Sequence, residues 1–160
     1  MKRKASYLKI FLLGFGFFGI SVLWALYNSD VPIMLKDVYG LSYTASGWVM
    51  NIDNILAITL IPLVGFWSDH VWTRIGRRMP FILSTLPVAA VLFAAVPWIP
   101  AWLGSGAPSL LGFILVLFFV NICMGISRSP VIALMPDLVP PEERSPANGV
   151  INFMGGFGSL

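Results

Sequence analysis

Long apolar runs separated by short polar segments divide the chain into a regular pattern. The first run is IFLLGFGFFGISVLWALY (10–27) and the second ASGWVMNIDNILAITLIPLVGFW (45–67). PFILSTLPVAAVLFAAVPW (80–98) and LLGFILVLFFVNICMGISRSPVIALM (110–135) follow. Each is near the roughly 20 residues that a helix rising about 1.5 Å per residue needs to cross the hydrocarbon core of a bilayer. The pattern therefore predicts four membrane-spanning helices and an all-α membrane protein. A fifth run, PANGVINFMGGFGSL (146–160), is short of a full crossing and reads as a fifth helix cut before its end.

Composition sharpens this picture. Hydrophobic residues make up 58 % of the 160 positions, and from Met79 to Ser127 there is no Asp, Glu, Lys or Arg. Charged residues are 11 %, where a soluble domain carries about 25 %. Nucleic acid is excluded as a partner, because the arginines have no water-exposed domain to decorate. MKRK before the first run looks like the start of a signal peptide, yet no small-residue cleavage site follows and three further spans do. If the N-terminus is cytoplasmic, the inner side holds Lys2, Arg3, Lys4, Lys9, Arg74, Arg77, Arg78 and Arg144, and the outer loops hold only Lys36. That asymmetry predicts a multi-pass protein of the cell membrane with its N-terminus inside. The net charge of +3 then reflects topology before it reflects any partner.

Enzyme chemistry lacks its groups. His70 is the single histidine and Cys123 the single cysteine, so neither a histidine-based metal cage nor an internal disulfide is available. GFGFFG (14–19) and GGFG (155–158) lie in apolar helices without the strand that precedes a phosphate-binding loop, and read as close-packing positions. No enzyme activity, cofactor or metal is expected. Pro62, Pro87, Pro97, Pro130 and Pro136 fall within or at the ends of spans, where kinked helices are tolerated if the freed carbonyls face protein or a water-filled cavity.

Two charges inside the spans are candidate chemistry. Asp53, flanked by Asn51 and Asn54, lies roughly 12 Å below a helix start near Ala45, where an acid is costly unless it faces a polar interior. A protonatable carboxylate beside amides suits a coupling proton or a sugar hydroxyl; the alternative is a hydrogen bond that glues spans together. Arg128 falls roughly 27 Å from the outer end of the fourth span, nearer the cytoplasmic surface than the middle, where it can also snorkel as an anchor. Asn121 stands seven residues earlier on nearly the same helix face. Tyr27, Asn28 and Asp30 read as a solvent-exposed turn opening the outer loop 28–44, with a vestibule lining as the alternative. Thr44 or Ser46 is available to cap the second span.

The segment SDHVWTRIGRRMPF (68–81) concentrates charge between two apolar spans. Asp69 and the arginines after it can clip two helix ends together and reach a third, or merely fix topology. Gly65, Ser68, Asp69, Arg74, Gly76, Arg77, Arg78 and Pro80 resemble the loop between helices two and three of the major facilitator superfamily. The longer form SD-x-x-W-T-R-x-G-R-R-x-P-F resembles the sucrose/proton symporter group and, more distantly, the glycoside-pentoside-hexuronide cation symporters. NICMGISRSPVIALMPDL (121–138) resembles the fourth helix of the sucrose-type group through Asn121, Gly125, Arg128 and Asp137. The chain departs from that pattern at Leu117, Met124 and Ile126, and Asp53 alone stands where the melibiose type has a ladder of aspartates.

The resemblance implies a major facilitator fold, with residues 1–160 forming the incomplete N-terminal six-helix half. It implies secondary active transport of a sugar or glycoside coupled to a proton or sodium by alternating access. Partners would be the lipid bilayer, a sugar-like substrate, the coupling ion and the remainder of the transporter. Asp53, Asn51, Asn54, Asn121 and Arg128 are then substrate or coupling-ion candidates. Gly65, Asp69, Arg74, Gly76, Arg77 and Arg78 form a cytoplasmic gating loop, with Asp137 and Arg144 in the inner loop between spans four and five. The alternative is a channel subunit or a membrane assembly protein without carrier activity.

Overall fold

The first helix, α1 (Tyr7–Asp37), continues ten residues past the apolar run that predicts it. Tyr27, Val31 and Leu35 recur every four residues and are almost fully buried, so a core-facing stripe persists while Asn28, Ser29 and Asp30 occupy the other side of the same helix. The polar residues that suggested a turn are therefore helical, and the loop expected over 28–44 shrinks to residues 38–42. This computed structural model describes residues 7–159. Lys2, Arg3 and Lys4, counted for orientation, lie outside the described residues, as does Leu160 at the end of the fifth run.

α2 (Tyr43–Met50) and α3 (Ile52–His70) form one span interrupted at Asn51. Ser42, rather than Thr44 or Ser46, caps it: the Ser42 hydroxyl accepts from the Ala45 amide at 3.2 Å. α4 (Met79–Ala95) passes through a 3-10 turn at Val96–Trp98 into α5 (Ile99–Leu103), so the third span ends five residues beyond its predicted limit. α6 (Ala107–Leu138) is longer at both ends than the fourth run, and a 3-10 turn at Pro141–Glu143 leads into α7 (Arg144–Gly158). Gly14–Asp37, Tyr43–His70, Met79–Leu103 and Ala107–Leu138 are long and apolar enough to cross a membrane, and α7 is part of a fifth helix.

α6 packs between α3 and α4, while α1 lies along α7. Small residues set these approaches. A Cβ on Gly158 would meet the Phe18 carbonyl oxygen at 2.7 Å, and one on Gly125 would meet Leu60 at 3.2 Å. One buried cluster joins Tyr27, Val31 and Leu35 of α1 to Val96, Phe113 and Leu117; a second joins Ala89 to Val120 and Met124. Ile58, Val91 and Phe153 stay largely exposed, as befits helices whose outer surface meets lipid tails.

Candidate functional site

A cavity of about 400 Å3 opens between α1, α3 and α6, lined by Trp24 and Asn28, by Asp53 and Asn54, and by Arg128 and Val131. Asp53 stands ten residues after Tyr43, and Arg128 ten residues before Leu138. Each is thus roughly 15 Å from the nearer end of its span. α6 extends three residues beyond the fourth apolar run, so Arg128 lies ten residues before its last residue and 21 after its first, in the half of the helix that ends at Leu138.

The electrostatics of this cavity are unbalanced. Among the described residues neither Asp53 nor Arg128 takes part in an ion pair. Asp53 Oδ1 is buried without a hydrogen-bond partner. The Arg128 guanidinium lies 5.9 Å from the centroid of the Trp24 ring, within reach of a cation–π attraction. A carboxylate and a guanidinium inside membrane-spanning helices that do not neutralise each other each call for another partner. The surroundings offer an aromatic face, two amides, a cation and an anion, groups that can hydrogen-bond or pair with a polar ligand.

The remaining in-span candidates separate. Asn54 lines the cavity and donates to Asn51 Oδ1 at 3.3 Å. Asn51 spends its own amide on the Gly47 carbonyl at 3.0 Å, bridging the break between α2 and α3. Asn121 is buried and donates to the Tyr27 hydroxyl at 3.0 Å, so it ties α6 to α1 and does not join Arg128 on the cavity wall. Its other amide atom, Oδ1, has no partner. Trp24 is the cavity residue that sequence reasoning missed, while Asn28 takes up the lining role that stood as the alternative to a solvent-exposed turn. Phe17, Trp24 and Asn28, seven and then four residues apart, share a helix face, a spacing that could have pointed to Trp24.

At one end of the bundle Arg78 gathers three groups. Its Nε donates to Asp137 Oδ2 at 2.5 Å, its Nη2 pairs with Asp69 Oδ1 at 2.9 Å, and its Nη1 reaches the Ser68 hydroxyl at 3.4 Å. Arg77 adds a bond to Asp137 Oδ1 at 2.8 Å and lies over the Trp72 ring. The end of α3, the start of α4 and the end of α6 are thereby joined through one nearly buried guanidinium. Gly65 brings α3 and α6 close, since a Cβ there would stand 3.1 Å from the Ser129 hydroxyl. Gly76 adopts φ 104° in the turn closed by the Gly76 amide on the Thr73 carbonyl at 3.0 Å, a conformation that side-chain-bearing residues rarely take. Arg74 is exposed. Arg144 donates to the Val139 and Pro136 carbonyls at 3.2 and 3.0 Å, satisfying the last turn of α6. Asp137 lies within α6 rather than in a loop.

Among the described residues no cluster of three His, Cys, Asp or Glu is placed to hold a metal. Comparison with known proteins supplies the family. The chain is 25 % identical over 156 residues to the "Sucrose transport protein SUC3" of Arabidopsis thaliana, covering 89 % of this chain and 26 % of that protein. It is 30 % identical over 162 residues to human "Solute carrier family 45 member 3", covering 98 % and 29 % respectively. Human "Proton-associated sugar transporter A" is 38 % identical over 88 residues, which is 54 % of this chain and 11 % of that protein. The chain thus spans less than a third of the length of these curated relatives. The Major Facilitator Superfamily matches residues 10–160, and with its membrane-spanning helices the chain belongs to that family of transporters, a class without catalytic activity.

Proposed function

We propose that this chain is part of the N-terminal six-helix half of a secondary transporter that moves a sugar or glycoside together with a proton or sodium. Alternating access would expose the cavity between α1, α3 and α6 to one side of the membrane and then to the other. The observation that carries this reading is the cavity between spans in which Asp53 and Arg128 face the same space without pairing. Asp53 is assigned to the coupling ion, since a carboxylate in that position changes its interaction with Arg128 and with bound hydroxyls when it gains or loses a proton. Arg128, Asn54 and Asn28 are assigned to substrate hydroxyls, and Trp24 to the apolar face of a sugar ring. The names of the relatives, which include sucrose and proton-associated sugar transport, support the substrate class.

The end carrying Arg77 and Arg78 is proposed as cytoplasmic, with the N-terminus on the same side, from the excess of basic residues there. The Asp69–Arg78–Asp137 network then acts as a latch that holds the cytoplasmic ends of three helices together in one state and releases them in the other. The test uses the complete reading frame expressed in cells. Asp53→Asn should abolish accumulation against a gradient and flatten the pH dependence of uptake, while exchange of the sugar partly survives. Concentrative uptake by D53N with parental pH dependence would show Asp53 to be structural. Conductance far above carrier turnover would replace the carrier reading by a channel.

A further inference from the structure

Helix α7 sorts its side chains into three sectors. Ala147, Ile151 and Gly158 are buried, and Val150, Phe153 and Phe157 are exposed and apolar. Asn148 and Asn152, one turn apart, fall in a third sector, since each residue advances roughly 100° around a helix of 3.6 residues per turn. Both amides are exposed, and neither bonds to another described residue. Polar amides on a span find no hydrogen-bond partner in lipid, so this sector faces water, a ligand or another part of the transporter. It opens into a second cavity of about 380 Å3, walled otherwise by Phe17, Ile132, Met135, Pro136 and Ile151. Phe17 and Ile132 also line the cavity of Asp53 and Arg128, so the two spaces share a wall.

We propose that Asn148 and Asn152 form a second, uncharged hydroxyl-binding subsite that takes the end of an elongated polyhydroxylated ligand remote from Arg128. The inference rests on the sugar-transport reading above and adds a subsite to it. Each amide offers both a donor and an acceptor, which matches the vicinal hydroxyls of a ring and discriminates against a charged ligand. Among the described residues no Asp, Glu, Lys, Arg or His lines this second space. Each cavity is of ligand size by itself. Met135 and Pro136 of the second cavity stand seven and eight residues after Arg128 on α6, roughly 10–12 Å along the helix, so the two sets of groups are spaced for two linked rings.

The test compares uptake of a free pyranose with that of the same pyranose carrying a second glycosidic ring, in the complete protein, with the amount at the cell surface measured for each variant. Asn148→Ala and Asn152→Ala should each raise the KM for the two-ring substrate about five- to tenfold, the effect of one lost hydrogen bond. The ratio of two-ring to one-ring KM should rise with it, and Asn152→Gln, which keeps the amide, should recover part of the loss. If both KM values move by the same factor, or neither moves, the subsite is overturned while saturable sugar uptake by the parent leaves the transport reading standing. A parent that takes up neither substrate sinks the sugar reading and the subsite together.

Discussion

Removing Arg78 tests the joint between three helices most directly. Its side chain is 9 % exposed and Asp137 is 24 % exposed, so their pair is largely withdrawn from water, whereas Asp69 is half exposed. Truncating one partner of a buried pair costs about 3–5 kcal/mol, chiefly because the other charge is stranded. Asp137 keeps Arg77 at 2.8 Å when Arg78 is lost, so Arg78→Ala should cost about 2–3 kcal/mol, below that range. Asp69→Asn breaks only the exposed arm and should cost less than about 1 kcal/mol. A double-mutant cycle with Arg78→Ala and Asp137→Asn, read by reversible SDS unfolding of the purified complete protein in mixed micelles, isolates the pair. Coupling near 2 kcal/mol is expected for groups in direct contact. Coupling below about 0.5 kcal/mol would refute the reasoning, since Arg78 would then serve only the charge asymmetry of the membrane ends. Asp69→Asn has a kinetic signature as well: it should slow uptake while the amount of protein inserted in the membrane stays near parental.

Three further outcomes follow from particular contacts. Gly158→Ala places a methyl group against the Phe18 backbone carbonyl, so it should lower stability by about 1–3 kcal/mol in the same unfolding assay. Gly19→Ala, whose methyl group meets nothing within 4 Å, should be neutral or slightly stabilising; equal losses for the two would mean that the α1–α7 approach is not set by Gly158. Tyr27→Phe leaves the buried Asn121 amide without its acceptor and should cost about 1–3 kcal/mol, with no change if water replaces the hydroxyl. Arg74→Cys, at an exposed position, should react with an impermeant thiol reagent only after cells are permeabilised, and labelling from outside would reverse the proposed orientation.

Spans, their number and the charge-dense segment between the second and third were legible in the sequence because the bilayer imposes a nearly one-dimensional rule. A stretch of about 20 apolar residues has few alternatives to a helix when its backbone must satisfy itself. Asp53 and Arg128 stood out by the same rule, as charges in the wrong solvent. Helix ends were less legible. α1 runs through Asn28, Ser29 and Asp30 because Val31 and Leu35 are buried one and two turns beyond Tyr27, and no local property of those three residues announces that. The partners of each polar residue were set by tertiary structure alone. Asn121 and Arg128 are close to the same face by helical spacing, yet one is bonded to Tyr27 and the other lines a cavity with Trp24, Asn28, Asp53 and Asn54. A periodicity of 3.6 residues assigns a side chain to a sector of its own helix; which neighbour occupies that sector depends on how closely glycines such as Gly65, Gly125 and Gly158 let the helices approach. The sequence determined that this chain crosses a membrane and where its unusual charges lie, through solvent and period, while only the packing of α1, α3, α6 and α7 decided which of those charges meet and which remain open to a ligand.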